Sequence, residues 1–372
     1  MTLWLLPNNR FRLTGCVTLA LILGLLGAGC GRPSSESTRA MASPAPTSSP
    51  VPTAMKTLPP ASTATSTTQT SPVAVPSPTA TTERSPLTVP AKPVASADEL
   101  AFDGDSAYDF VLQQCALGLR PTGSEAGWAT GDYLISQLGR TGWQVVIHEF
   151  TFHDVKGRNI IGKRGTGPVA MLGAHYDTRP YADHNPEGQR DQGILGANDG
   201  GSGVAVLLEL ARTLDVEKTG HEIWLAFFDA EDRGRLDNWP FSVGASLLAR
   251  DIAASNLPEL AQRPKFLIVV DMVGDADQQL YYEGFSNPKL SERIWTLAGD
   301  LGYGSVFVPT VKHHLMDDHR PFIEIGVAAI DIIDFDYPYW HTTEDTTDKV
   351  APASLERVGK VLELFLELGG TW

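Results

Sequence analysis

Residues 225–231 read Leu-Ala-Phe-Phe-Asp-Ala-Glu, and Asp232 follows at once. A short apolar run that ends abruptly in carboxylates fits a strand buried on both faces, with its C-terminal tip opening onto a site. Strands of that kind belong to parallel sheets covered by helices, and in such open sheets ligands gather at the carboxyl ends of the strands. Adjacent residues at a strand end diverge. One of Glu231 and Asp232 is therefore free to hold a metal while the other handles a proton.

The same pattern recurs along the chain. Residues 169–174 end in His175-Tyr-Asp177, residues 266–270 end in Asp271, and residues 327–333 run into a polar and aromatic stretch that reaches Trp340-His341. Residues 143–152 and 159–162 are expected to pair as strands, with His148 and His153 exposed on them, and 280–283 is a further short strand. Helical spacing covers 105–117, 125–138, 204–214, 241–254, 290–301 and 353–368, with Ser124 as a cap and a short helical segment after Asp317-Asp-His-Arg-Pro-Phe. This alternation predicts an α/β fold, one three-layer α/β/α domain over residues 97–372 with a mostly parallel central sheet. The glycines around Asn198-Asp199 open a helix, where an N-cap is the ordinary role for Asp199. No Walker lysine or dinucleotide fingerprint accompanies them.

The stretch before this domain is of another kind. Arg10 and Arg12 precede an apolar run at 17–26 that is short for a membrane span, the pattern of an export signal. Leu-Leu-Gly-Ala-Gly-Cys, ending at Cys30, resembles the bacterial lipoprotein cleavage box, although Gly27 stands where leucine is usual; an ordinary signal peptide cut near Ala28 is the alternative. Residues 31–96 are dominated by Ser, Thr, Pro and Ala and are read as a disordered tether. The expected product is exported to the cell surface or periplasm, anchored by lipid on Cys30, and monomeric. Of three cysteines only Cys115 falls in the body, which excludes an internal disulfide there and leaves a buried structural thiol. A net charge of -15 without a basic stripe argues against a nucleic-acid partner.

Strand ends thus carry His175, Glu231, Asp232 and Asp271, with His341 beyond the last strand and Asp199 at a helix start. Singly, each is a solvated histidine, a cap or a surface acid. Together at one sheet edge, two histidines and several carboxylates without cysteine form a nitrogen and oxygen set suited to zinc, with a position left open.

Here the chain resembles the zinc-dependent aminopeptidases of the two-zinc type and the related glutaminyl cyclases, most closely the bacterial glutaminyl-peptide cyclotransferases of the animal-like type. The resemblance rests on His175-Tyr-Asp177, Asn198-Asp199, Glu231-Asp232, Asp271 and His341-Thr342, in that order; Asp232 departs from the usual second glutamate. It implies a zinc-exopeptidase-like fold of the phosphorylase/hydrolase-like kind. It also implies one metal set of Asp199, Asp232 and His341, and a second of His175 and Asp271 that shares Asp199. Asp317-Asp318-His319 resembles the cyclase pattern rather than the Ser-Asp-His of the peptidases. By that likeness Asp317 and Asp271 share a proton network with Glu231, and Trp239, Tyr337 and Trp340 are pocket aromatics, although packing is the ordinary role for each. The implied reaction is cyclisation of an N-terminal glutamine on peptides or proteins, with zinc polarising the γ-amide and Glu231 as base and then acid. The alternative is an aminopeptidase in which Glu231 activates water. Similar cyclases keep both sets yet generally use one zinc, so the ligands leave one ion or two open.

Overall fold

The structure, a computed structural model, describes residues 96–372. The expected leader, its Cys30 and the tether up to residue 95 lie outside the described residues.

Two helices, α1 (Gly104–Ala116) and α2 (Glu125–Arg140), precede an antiparallel hairpin of β1 (Gln144–Phe152) and β2 (Val155–Gly165). Next come β3 (Val169–His175), α3 (Gly201–Thr213), the one-turn α4 (Val216–Thr219), β4 (Glu222–Phe228), α5 (Val243–Ala253) and β5 (Phe266–Asp271). The chain closes with β6 (Leu280–Glu283), α6 (Pro288–Asp300), β7 (Phe307–His313), α7 (His319–Glu324), β8 (Ala328–Ile333) and α8 (Pro352–Glu367).

The main sheet has the order β1-β2-β4-β3-β5-β8, and β4, β3, β5 and β8 are mutually parallel. β3 and β5 are buried along their whole length, as the uninterrupted apolar runs require of strands covered on both faces. On one face α1, α3, α6 and α8 enclose the larger apolar core; on the other, α5 and α7 pack over a smaller one. The central helix α3 is buried from Gly201 to Ala211, which matches its apolar character all round. Its approach to the sheet depends on Gly203, where a Cβ would come to 2.1 Å from the carbonyl oxygen of Val270.

Winding reverses at β3. The chain crosses from β3 to β4 on one side and then from β4 to β5 on the other, so the carboxyl end of β3 is the switch point, where a crevice opens.

Two expectations need correction, and one strand was not foreseen. His148 is not exposed: it is 4% accessible, with Asp251 3.2 Å from Nε2 and the Asn159 amide 3.0 Å from Nδ1. His153 is exposed but sits in the hairpin turn with a left-handed backbone (φ 44°) rather than on a strand. β6 lies outside the main sheet, paired in parallel with β7, which the sequence reading did not recognise because Pro309 and mostly exposed residues hide it. Cys115 is half-buried against the main core, and burial pushes its thiol above the ordinary value, which disfavours the reactive thiolate.

Candidate metal centre and cavity

β3 ends on His175 and β5 on Asp271, while β4 ends three residues before Glu231. Sharp turns then aim the polar residues. Ala230 (φ 63°), Met272 (φ 46°) and His341 (φ 57°) all hold left-handed backbone, which costs a non-glycine residue about 1–2 kcal/mol each. Surrounding bonds enforce these turns. The backbone N–H groups of Glu231 and Asp232 donate to the two carboxylate oxygens of Asp177, at 3.0 and 3.1 Å, so one buried acid fixes the acidic pair. Asp345 does the same for Asn198 and Asp199, accepting their N–H groups at 2.9 and 3.1 Å and the Tyr337 hydroxyl at 2.8 Å. Asp199 is not the N-cap of α3. Gly200 holds that position, and its φ of 81° suits glycine; a Cβ there would meet His175 Cε1 at 3.0 Å.

Asp199 is freed to face two histidines. One of its oxygens lies 3.2 Å from His175 Nε2 and the other 3.9 Å from His341 Nε2. His175 Nε2 also lies 3.1 Å from Asp271, and His341 Nε2 3.1 Å from Asp232. Two sets result, Asp199 with Asp232 and His341, and Asp199 with His175 and Asp271, all buried. Ligands about 2.0–2.2 Å from a tetrahedral zinc lie roughly 3.3–3.6 Å apart, close to these separations. The Asp199 oxygen facing His341 is buried without a hydrogen-bond partner, which a cation between the ligands would satisfy. The donor set and its spacing therefore fit zinc.

Electrostatics agree. Burial, then Asp199 beside it, pushes Asp232 up to about 6. Burial raises Asp271 to about 7 although His175 opposes the rise. Burial disfavours charge on His341, yet Asp232 and the other acids lift it to about 9. Burial holds Glu231 well above the usual carboxylate range, with Asp317 and Asp232 adding to it against the pull of His175. Glu231, Asp232 and Asp271 thus hold protons more tightly than free carboxylates do, while the hydrogen bond and charge of His175 keep Asp199 low against its burial; so much negative charge converging in dry surroundings favours a divalent cation.

Glu231 sits in neither set. With Asp271 and Asp317 it lines a cavity of about 160 Å³ whose apolar walls include Phe241, Leu315, Phe335 and Trp340. That is below the roughly 300 Å³ of small-molecule pockets and suits a single side chain. Trp340 is tilted against His341 with ring centroids 3.9 Å apart and meets His184 edge-on at 4.6 Å. The other two aromatics do not reach the cavity. Trp239 is packed against Phe152 behind Ala230, and Tyr337 is buried with its hydroxyl on Asp345. Phe241 and Phe335 form the walls instead, and only the fold distinguishes them, since core and pocket both bury aromatic rings.

Sequence reasoning also missed Asp183 and Arg179, in the loop after β3. Arg179 donates to both Asp183 oxygens at 2.7 Å, and Asp183 lies 3.2 Å from His341 Nδ1, a carboxylate behind a candidate ligand. Arg179 also donates to the backbone oxygens of Asp232 and Gly234 at 2.9 and 3.1 Å, tying the two loops together. A loop rich in Tyr, Asp, His and Asn was the only signal.

Residues 159–366 match the description of Peptidase family M28. Glutaminyl-peptide cyclotransferase of Gloydius blomhoffii is 24% identical over 299 residues, which cover 66% of this chain and 76% of that protein. Among solved structures, a leucine aminopeptidase precursor from Bacteroides thetaiotaomicron is 32% identical with a TM-score of 0.66, covering 74% of this chain and 97% of that one. Glutaminyl cyclase from the same organism, bound to N-acetylhistamine, is 32% identical with a TM-score of 0.65, covering 72% and 97%.

Proposed function

This chain belongs to peptidase family M28, and on that premise we propose that it converts the N-terminal glutamine of peptides to pyroglutamate with release of ammonia. The observation that carries the reading is Asp317, which lines the same small cavity as Glu231 and Asp271. Ligands and a single base would suffice for a hydrolase. A third carboxyl beside the base suits a reaction that must move one proton from an amine to a departing amide nitrogen.

Asp199, Asp232 and His341 would hold zinc, which when bound supplies a Lewis acid for the side-chain carbonyl oxygen of the glutamine. Glu231 accepts a proton from the α-amine as that nitrogen attacks the side-chain amide carbon. It then delivers the same proton to the amide nitrogen as the old C–N bond breaks. One C–N bond forms, one breaks, ammonia leaves and no water is consumed. Asp271 and Asp317 line the cavity beside Glu231, and the charge of Asp317 strengthens the hold of Glu231 on the proton it accepts. Trp340, Phe335 and Leu315 exclude the water that would otherwise compete.

A second reading is a zinc aminopeptidase, favoured by the set of His175, Asp199 and Asp271 at ligand spacing. Glu231 would then take its proton from an attacking water, and the first peptide bond would break. Incubating the zinc-loaded protein with a Gln-initiated dipeptide amide and a Leu-initiated chromogenic substrate separates the two by mass. Loss of ammonia from the Gln substrate supports the cyclase; hydrolysis of the Leu substrate without cyclisation overturns it.

We also infer, from the leader signals and the Ser/Thr/Pro-rich stretch alone, an exported protein tethered by residues 31–96 to a lipid on Cys30. Incorporation of labelled palmitate, lost in Cys30→Ala, tests the anchor.

A further inference from the structure

Beyond Asp317 the cavity opens into a second depression of about 320 Å³, and the two share Arg235, Phe241, Met316 and Asp317. Arg320 joins it from α7. In a chain with 44 acidic against 29 basic residues, arginines easily find carboxylates, and those nearby have done so: Arg179 with Asp183 and Arg233 with Asp237. Arg235 and Arg320 have not. Among the described residues neither has a carboxylate oxygen within 4.0 Å, although Glu324 lines the same depression one helical turn from Arg320. Each is held by an aromatic ring instead: Arg235 lies 5.7 Å from the centre of Phe241, and Arg320 4.0 Å from that of Phe285. Such stacking steadies a guanidinium while leaving its N–H groups without an acceptor. The Nε of Arg320 is buried with no partner at all.

An extended peptide advances about 3.3 Å per residue, so a chain whose first residue fills the small cavity brings its second or third residue into this depression. We propose that the depression is a specificity subsite in which Arg235 and Arg320 select peptides carrying an aspartate or glutamate at the second or third position. The proposal rests on the N-terminal residue occupying the small cavity, as in the reading above, but not on which product forms.

The test compares kcat/KM for Gln-Glu-Ala, Gln-Ala-Glu, Gln-Ala-Ala and Gln-Lys-Ala amides, together with the Leu-initiated series, reading both ammonia and free amino acid. The better acidic peptide is expected to exceed the lysine peptide about tenfold at low salt, with the margin shrinking at high salt. Arg320→Gln and Arg235→Gln should each cut the acidic-to-neutral ratio about three- to fivefold, and Arg320→Glu should turn preference toward lysine. Taking ratios within one variant cancels any general loss of activity. Amino acid release in place of ammonia would remove the cyclase reading while the charge preference still decides the subsite. Binding of the same peptides to Glu231→Gln, measured by calorimetry, reads the preference without turnover. Acidic and lysine peptides handled alike, or ratios unmoved in folded variants, would overturn the proposal.

Discussion

Replacing Glu231 by glutamine keeps the shape of the side chain and removes its ability to accept a proton. The residue is 7% exposed in a cavity with Asp271 and Asp317, so no bulk water stands ready to act in its place. Loss of a positioned base costs about 10²–10⁴ in rate, which at roughly 1.36 kcal/mol per tenfold is about 2.7–5.4 kcal/mol of barrier. Exclusion of water points to the upper half of that range. Stability should not fall. The substitution takes one carboxylate out of a cluster of five lining the cavity, and the Ser242 hydroxyl, 3.4 Å from Oε1, still finds an oxygen to donate to. Zinc content should not change either, because Glu231 belongs to neither ligand set. The assay is single-turnover ammonia release from a Gln-peptide amide, with thermal melting and metal analysis on the same preparation. A variant that keeps more than about a tenth of the rate with normal zinc would refute the role of Glu231 as base. Loss of the metal would instead make Glu231 a ligand.

Three further outcomes follow from the geometry. Chelation should abolish activity, and returning zinc at about 100 times its Kd should raise stability by about 2.7 kcal/mol, a shift of roughly 5 °C in melting temperature for a domain this size. A melting curve indifferent to zinc would count against the centre. Asp183→Asn weakens the hold on His341 and should lower zinc affinity about 10–100-fold, read by competition with a chromogenic chelator, whereas unchanged affinity would make Asp183 only a partner of Arg179. Asp334, pushed by burial and Asp275 up to about 6, binds its proton more tightly folded than unfolded. Its contribution is therefore complete below the unfolded value near pH ~4 and is lost as pH rises through about 6, on the order of 2 kcal/mol. Urea midpoints across that window should fall less steeply in Asp334→Asn than in the parent, and parallel curves would contradict the shift.

Much of this could be read from local pattern, because a strand buried on both faces must be apolar and must stop being so where it meets a site. β4 (Glu222–Phe228) ends just before the carboxylates at which the apolar run stops, and His175, Asp199, Asp232, Asp271 and His341 do converge beyond the strand ends. Patterns of that kind record which residues leave water but not which neighbours they meet. Trp239 and Tyr337 are as buried as pocket walls would be, yet they pack into small clusters behind the site, while Phe241 and Phe335 line the cavity. His148 satisfies a buried bond to Asn159 that no spacing rule foretells. Asp183 reaches His341 across 158 residues of sequence, and Arg320 reaches the rim of the cavity from another element. The residue types, the sheet and the edge where chemistry gathers were thus set by the sequence through burial and strand direction. Which acid stands behind a ligand, which aromatic faces the substrate and which arginine stays free were decided by the tertiary structure, because those contacts depend on loop closure and on left-handed turns at Ala230, Met272 and His341.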